Sequence, residues 1–157
     1  MSGAGRGAET ALEGSGFRIV IVAGRWHEAI TDGLIAGARR VLDAAGAEHE
    51  LVRVAGAFEL PLVTKAVLDA GADAAVALGV IVRGGTPHFD FVSDAATSGL
   101  TRVALDTGKP VGFGVLTLDD EQQGLDRAGL PSSKEDKGAE AAHAALETAI
   151  ALREIRA

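Results

Sequence analysis

The chain has 157 residues, too few for two ordinary domains and enough for one that buries most of its apolar surface without staples. Hydrophobic residues make up 47% and charged residues 24%, the balance of a globular protein, and the lack of Cys excludes disulfides, thiolate metal sites and thiol catalysis. A formal charge of −7 argues against nucleic acid as a partner, and no apolar run approaches the roughly 20 residues of a membrane span, so a cytoplasmic protein with no membrane partner is expected.

Residues 1–16, rich in Gly, Ala and Ser, read as a flexible N-terminal arm, and residues 17–157 as a single α/β domain. Phe17 to Ala23 is short, apolar and β-branched and stops at Gly24, which predicts the first strand. Ile30, Leu34, Ala38, Val41 and Ala45 then recur at helical spacing, closed by Gly46 as a C-terminal cap. Glu50 to Val54 reads as a second strand. Leu60, Val63, Val67 and Ala70 form one helical face, with Pro61 tolerated in the first turn and Gly71 at the end.

Asp73 to Val82 is almost wholly apolar, the signature of a strand buried on both faces in a parallel sheet. Val92, Ala95, Ala96, Gly99 and Val103 mark a third helix, and Pro110 to Thr117 a fourth strand. Two helices close the chain. One is expected from about Asp119 to Ala128-Gly129; the other opens at Ser132, where Glu135 completes a capping box, and runs to the C-terminus. The order β-α-β-α-β-α-β-α-α gives a three-layer, flavodoxin-like sandwich: a four-stranded parallel sheet with helices on both faces.

Ligands of such sheets bind beyond the carboxyl ends of the strands, so the residues just after each strand carry the candidates. Trp26 follows the first strand and Gly56-Ala57-Phe58-Glu59 the second. After the third comes Arg83-Gly84-Gly85-Thr86-Pro87-His88-Phe89-Asp90, two glycines, a hydroxyl, a proline and a histidine in one turn. Paired glycines let backbone amides face an anion, and a helix opening near His88 would aim its first N–H groups at the same space. Histidine, with an unperturbed pKa of about 6.5, exchanges protons near neutrality. Trp26, Phe58 and Phe89, three of only six aromatic residues, fall at this edge and suggest walls for a flat ligand.

Each residue has a plainer reading. Trp26 can cover the end of the core, Glu59 from spacing alone reads as a first-turn carboxylate favoured by the helix dipole, and Arg127 and Lys137 can be solvated charges. His27, His49 and His143 stand alone, so no metal site is expected. No P-loop, GxSxG elbow or GxGxxG opens a helix, which leaves nucleotide hydrolysis, serine hydrolysis and dinucleotide binding unsupported.

Taken together, Gly56 to Pro61, Gly79 to Asp90, Phe113-Gly114-Val115-Leu116-Thr117, Leu125-Asp126-Arg127-Ala128-Gly129 and Asp136-Lys137-Gly138 closely resemble the lumazine synthase family, in order and with compatible spacing from Phe17 onward. The resemblance implies condensation of 5-amino-6-(D-ribitylamino)uracil with L-3,4-dihydroxy-2-butanone 4-phosphate, the penultimate step of riboflavin synthesis. The products are 6,7-dimethyl-8-ribityllumazine, phosphate and water. It further implies a Schiff base, phosphate elimination and ring closure, with no metal or organic cofactor.

By the same resemblance Trp26 stacks on the pyrimidine, the backbone of Val80, Ile81 and Val82 reads its polar edge, and Ala57, Phe58 and Glu59 surround the ring and ribityl chain. Gly85 and Thr86 hold the phosphate with Arg127 of the neighbouring subunit and Lys137 as a second cation, while Phe113 closes the aromatic wall across the interface. His88 shuttles protons. Position 85 often carries a side chain in the family, so Gly85 shifts phosphate binding toward Arg127 and Thr86. A site shared in this way implies a homo-oligomer, and the long connection from Gly129 to Lys137 favours a free pentamer over a sixty-subunit shell. A non-catalytic flavin- or lumazine-binding protein, a structural shell protein and a flavodoxin-like electron carrier are the rival classes. His88, Arg127 and Lys137 argue against the first two, and the third rests on fold alone, which warrants little.

Overall fold

The computed structural model describes residues 4–157. In chain order the elements are β1 Arg18–Gly24, α1 Glu28–Ala45, β2 Glu48–Val54, a 3-10 turn Ala57–Glu59, α2 Leu60–Asp69, β3 Ala74–Val82, α3 His88–Thr107, β4 Val111–Leu118, α4 Glu121–Leu125 and α5 Lys137–Arg156. The four strands form one parallel sheet in the order β2-β1-β3-β4. The flavodoxin-like three-layer arrangement expected from the sequence is the one observed.

Its central strands are buried because neither face of β1 or β3 carries a charge beyond Arg18. Ile19, Ile21, Val76 and Leu78 pack under Ile30, Leu34 and Leu42 of α1 and Ala142, Ala145 and Leu146 of α5. On the other face Val20, Val22, Ala75 and Ala77 meet Leu60 and Leu68 of α2 and Ala96, Leu100 and Val103 of α3. α1 stops where Gly46 takes φ 75°, a left-handed value that glycine adopts without cost. Small residues let α5 lie close on β4: a Cβ built on Gly112 would stand 2.2 Å from the Ala141 carbonyl oxygen.

The last two helices differ from the sequence reading. α4 is capped by Asp120, whose carboxylate accepts from the Gln123 N–H at 2.9 Å, and it ends at Leu125, short of the expected Ala128-Gly129. The chain then doubles back. The Asp126 carbonyl accepts from the N–H groups of Lys134 (2.8 Å) and Glu135 (3.0 Å), and Ala128 bridges Asp136. That pairing occupies the backbone on which a capping box at Ser132 would depend. α5 starts instead at Lys137, with Asp136 as its cap: Oδ1 accepts from the Ala139 N–H at 3.0 Å, and Oδ2 pairs with Arg40 at 2.5 Å. Ser133 turns inward, accepting from the Leu130 N–H and donating to the Leu125 carbonyl.

Within the N-terminal segment Leu12 packs on the α1/α5 side of the core, and the Gly14 N–H donates to the Ala45 carbonyl at 2.7 Å. The His143 ring lies 3.1 Å from the Thr10 carbonyl oxygen. Residues 1–3 of the expected arm lie outside the described residues. Among the described residues no helix is long and apolar enough to cross a membrane.

Gly112→Val is expected to destabilise the protein by about 1–3 kcal/mol, because the added side chain must push α5 off β4. Urea denaturation of the two proteins checks it, and an unchanged midpoint would refute this account of the helix–sheet contact.

Candidate active site

A cavity of about 680 Å³ opens where β1, β2 and β3 end, lined by residues from the three segments that the sequence singles out. It lies at the switch point of the sheet, since β1 has β2 on one side and β3 on the other and the helices that follow β1 and β3 pack on opposite faces. The crevice therefore follows from the strand order.

Trp26 forms the first wall. It is 69% exposed, which removes the reading that it covers the core. Its carbonyl accepts a hydrogen bond of 2.7 Å from the hydroxyl of Thr31, a fully buried side chain one turn into α1. Between them His27 holds φ 55°, the one positive φ of a non-glycine residue among those described. Such a conformation costs about 1–2 kcal/mol and persists only where its surroundings over-determine it. Arg53 of β2 donates to the Gly24 carbonyl at 3.0 Å and fixes the start of the same segment. The indole lies against Gly56, where a Cβ would come within 3.1 Å of its Cδ1.

The 3-10 turn forms the second wall. Ala57 is buried and points its methyl group toward the sheet, while Phe58 is exposed at the rim. The Glu59 carboxylate accepts from the Gly56 N–H at 2.9 Å. Glu59 thus does what its position at a helix start predicts, and it lines the cavity as well. An ionised carboxylate has about four acceptor positions, so one backbone bond leaves capacity for hydroxyl donors.

The third wall is the end of β3 with the loop that follows: Val80, Ile81 and Val82, then Gly84, Thr86, His88 and Phe89. α3 begins at His88 with Pro87 before it, so no side chain caps the first turn. The His88 N–H is 3.4 Å from the Thr86 hydroxyl, a long contact. Neither Gly84 nor Gly85 occupies the left-handed region, and a Cβ on either meets nothing within 4 Å. The loop's path does not need glycine there, in contrast to the expectation that paired glycines are what turn its amides.

Four expected residues lie apart from this lining. Gly85 is in the loop but not on the cavity wall. Phe113, half-exposed, sits midway along β4, on the face opposite the neighbouring Gly112 and Gly114, which lie against α5. Arg127 lies in the segment joining α4 to α5, and Lys137 is the first residue of α5. The Arg127 guanidinium donates to the Gln123 carbonyl at 2.8 Å and lies 3.5 Å from Glu135; Lys137 pairs with Glu140 at 2.9 Å and Glu135 at 3.7 Å. Both cations therefore share Glu135, and Lys137, with 12% of its side chain exposed, is no solvated surface charge. Among the described residues no group of three or more His, Cys, Asp or Glu could hold a metal ion.

The cavity also includes His27 and Phe91, to which the sequence reading gives no role, and Val92, expected only on the apolar face of the third helix. For Phe91 and Val92 a signal existed: they lie three and four residues beyond His88, on the same side of a helix. His27 had none, because its backbone conformation is imposed by its neighbours. What results is a slot with apolar walls, a carboxylate on one side, and an imidazole with a hydroxyl and loop amides on the other. It suits a flat polar ring with a hydroxylated tail next to an anionic group.

Thr31→Val removes the hydroxyl while nearly keeping the shape. It is expected to cost about 1 kcal/mol and to loosen Trp26, the only tryptophan, lowering its fluorescence anisotropy; Thr31→Ser restores it. Unchanged anisotropy in the valine variant would show that this bond does not hold the indole.

Comparison with known proteins agrees with the slot's chemistry. The family model for 6,7-dimethyl-8-ribityllumazine synthase matches residues 16–153. A relative of that name from Leifsonia xyli subsp. xyli is 73% identical over 157 residues, covering 99% of both chains. One from Clavibacter michiganensis subsp. michiganensis is 71% identical over 147 residues, covering 94% of this chain and 92% of its own. A third, from Kineococcus radiotolerans, is 62% identical over 154 residues, covering 98% and 95%. A match that runs through every wall of the cavity and on into α5 places this chain in the 6,7-dimethyl-8-ribityllumazine synthase family.

Proposed function

We propose that the protein condenses 5-amino-6-(D-ribitylamino)uracil with L-3,4-dihydroxy-2-butanone 4-phosphate to form 6,7-dimethyl-8-ribityllumazine, phosphate and water, the penultimate step of riboflavin biosynthesis. The observation that carries this reading is the slot at the ends of β1 to β3. It unites Trp26, Glu59 and His88 in a chain matched almost end to end by proteins of that name.

In this reading the pyrimidine lies against Trp26, with its polar edge on the backbone of Val80, Ile81 and Val82. Ala57 and Phe58 flank the ring, and Glu59 accepts from ribityl hydroxyls, each such charge-assisted bond being stronger than a neutral one. The phosphate of the second substrate lies on the loop at Gly85 and Thr86, beside the open first turn of α3, where backbone N–H groups favour an anion. The pyrimidine's 5-amine attacks the ketone and water leaves as the imine forms. Loss of phosphate follows, and closure of the ring by the ribitylamine nitrogen expels a second water. His88, at the junction of ring site and phosphate loop, donates and accepts the protons these steps move. Holding two reactants in register supplies much of the remaining acceleration.

The phosphate needs more positive charge than this loop provides, and Arg127 and Lys137 stand on a separate segment of the same chain. We therefore infer a homo-oligomer in which Arg127, Lys137 and Phe113 of one subunit complete the slot of the next. A pentamer is the assembly favoured, given the long connection from Gly129 to Lys137, and the cytoplasm the location.

Formation of the lumazine chromophore, followed by absorbance against a no-enzyme blank, tests the reaction; a rate equal to the blank in a folded oligomer would refute it. His88→Ala is expected to lower kcat by about 10²–10⁴-fold and leave measurable turnover. Arg127→Ala is expected to raise the KM of the phosphorylated ketone far more than that of the pyrimidine, and a normal KM would remove Arg127 from the phosphate site. Light scattering decides the assembly: a mass of five subunits is expected, and one near sixty would replace the pentamer with a shell.

A further inference from the structure

The loop between β3 and α3 has little to hold it. Residues 84–88 are all exposed, the space around Gly84 and Gly85 is open, and the one side-chain bond within the loop is the long contact from the His88 N–H to Thr86. Yet any reaction at this site needs His88 and the loop amides in fixed places.

Arg83 supplies the restraint. Its N–H donates to the Leu118 carbonyl at 2.8 Å and carries the β3–β4 ladder one residue beyond the strand. Its Nε donates to Asp119 Oδ1 at 3.0 Å, which ties the guanidinium to the end of β4. The same guanidinium lies over the Phe89 ring, 4.3 Å from Cζ to the centroid, with Nη1 3.8 Å from Asp90. One side chain at the start of the loop thus grips the two residues just past its end and anchors both to β4. Phe89 adjoins His88 and lines the cavity, whereas Arg83 does not.

The geometry points to Arg83 as a positioning residue: it staples the loop from Gly84 to His88 into the conformation that receives phosphate and presents the imidazole. The two ion pairs are exposed and add little to global stability. Their effect is placement, where errors near 1 Å matter for reaction rates. A planar guanidinium can bond with Nε while its face covers an aromatic ring; an ammonium cannot do both.

This assignment rests on the synthase reading for its kinetic test and on the loop alone for its structural one. Arg83→Ala is expected to raise the KM of the phosphorylated ketone about tenfold or more and to lower kcat, with the KM of the pyrimidine and the melting temperature nearly unchanged. Arg83→Lys should recover only part of the loss. Asp119→Ala, which removes the β4 anchor alone, should move the same KM in the same direction. Hydrogen exchange provides the readout that does not depend on turnover: the amides of residues 84–90 should exchange faster in Arg83→Ala while those of β3 do not. Wild-type kinetics in Arg83→Ala, equal rises in both KM values, or a lysine variant equal to wild type would overturn the staple. A wild-type protein without synthase activity would refute the synthase reading, and exchange would still decide the role of Arg83: selective loosening of the loop sustains it, and unchanged exchange overturns it.

Discussion

Burial of β3 on both faces is the constraint from which the remaining structure follows. A strand with no polar face must have helices above and below it, and parallel neighbours reached by long crossovers meet that need. Parallel pairing then puts the carboxyl ends of all four strands at one edge. With β1 and β3 adjacent and their following helices on opposite faces, that edge splits into a crevice. The site is a consequence of how the core is covered.

The crevice is furnished by segments of different stiffness. Trp26 stands on a strained and well-bonded turn, held by the Thr31 hydroxyl, the left-handed His27 and the Arg53 guanidinium on the Gly24 carbonyl. Glu59 is oriented by the Gly56 N–H next to it. The loop between β3 and α3 is the opposite case, open along its length and fixed at its ends. A rigid wall suits a flat ring, which is recognised by shape. A loop free along its middle would suit an anionic group that enters and leaves, as the proposed reaction requires of its phosphate.

Charge is distributed unevenly across the site. The chain is acidic overall, and the cavity itself contains Glu59 and no arginine or lysine. The cations that would balance a phosphate, Arg127 and Lys137, are held around Glu135 where the doubled-back segment meets the start of α5. That segment owes its shape to Asp136, which caps α5 and binds Arg40 of α1 at once. Within one chain the carboxylate lines the cavity and these cations do not.

Strands and long helices were legible in the sequence because their signals are local. Alternation and apolar runs mark β1 to β4, and the caps at Gly46 and Pro61 obey rules that need only a few neighbouring residues. The candidate residues after each strand were legible too, since a parallel sheet brings strand ends together whatever the details. The Ser132 capping box failed because two caps competed, and contacts from Asp126 to Lys134 and Glu135, across eight or more residues, favoured Asp136. What the sequence by itself determined was the order of elements, the layered fold and the edge at which the candidate residues gather, all set by short-range hydrophobic periodicity. Only the tertiary structure decided the left-handed turn at His27, the seating of Trp26 on Gly56 and the grip of Arg83 on Phe89 and Asp119. Those depend on distances between segments that periodicity does not encode.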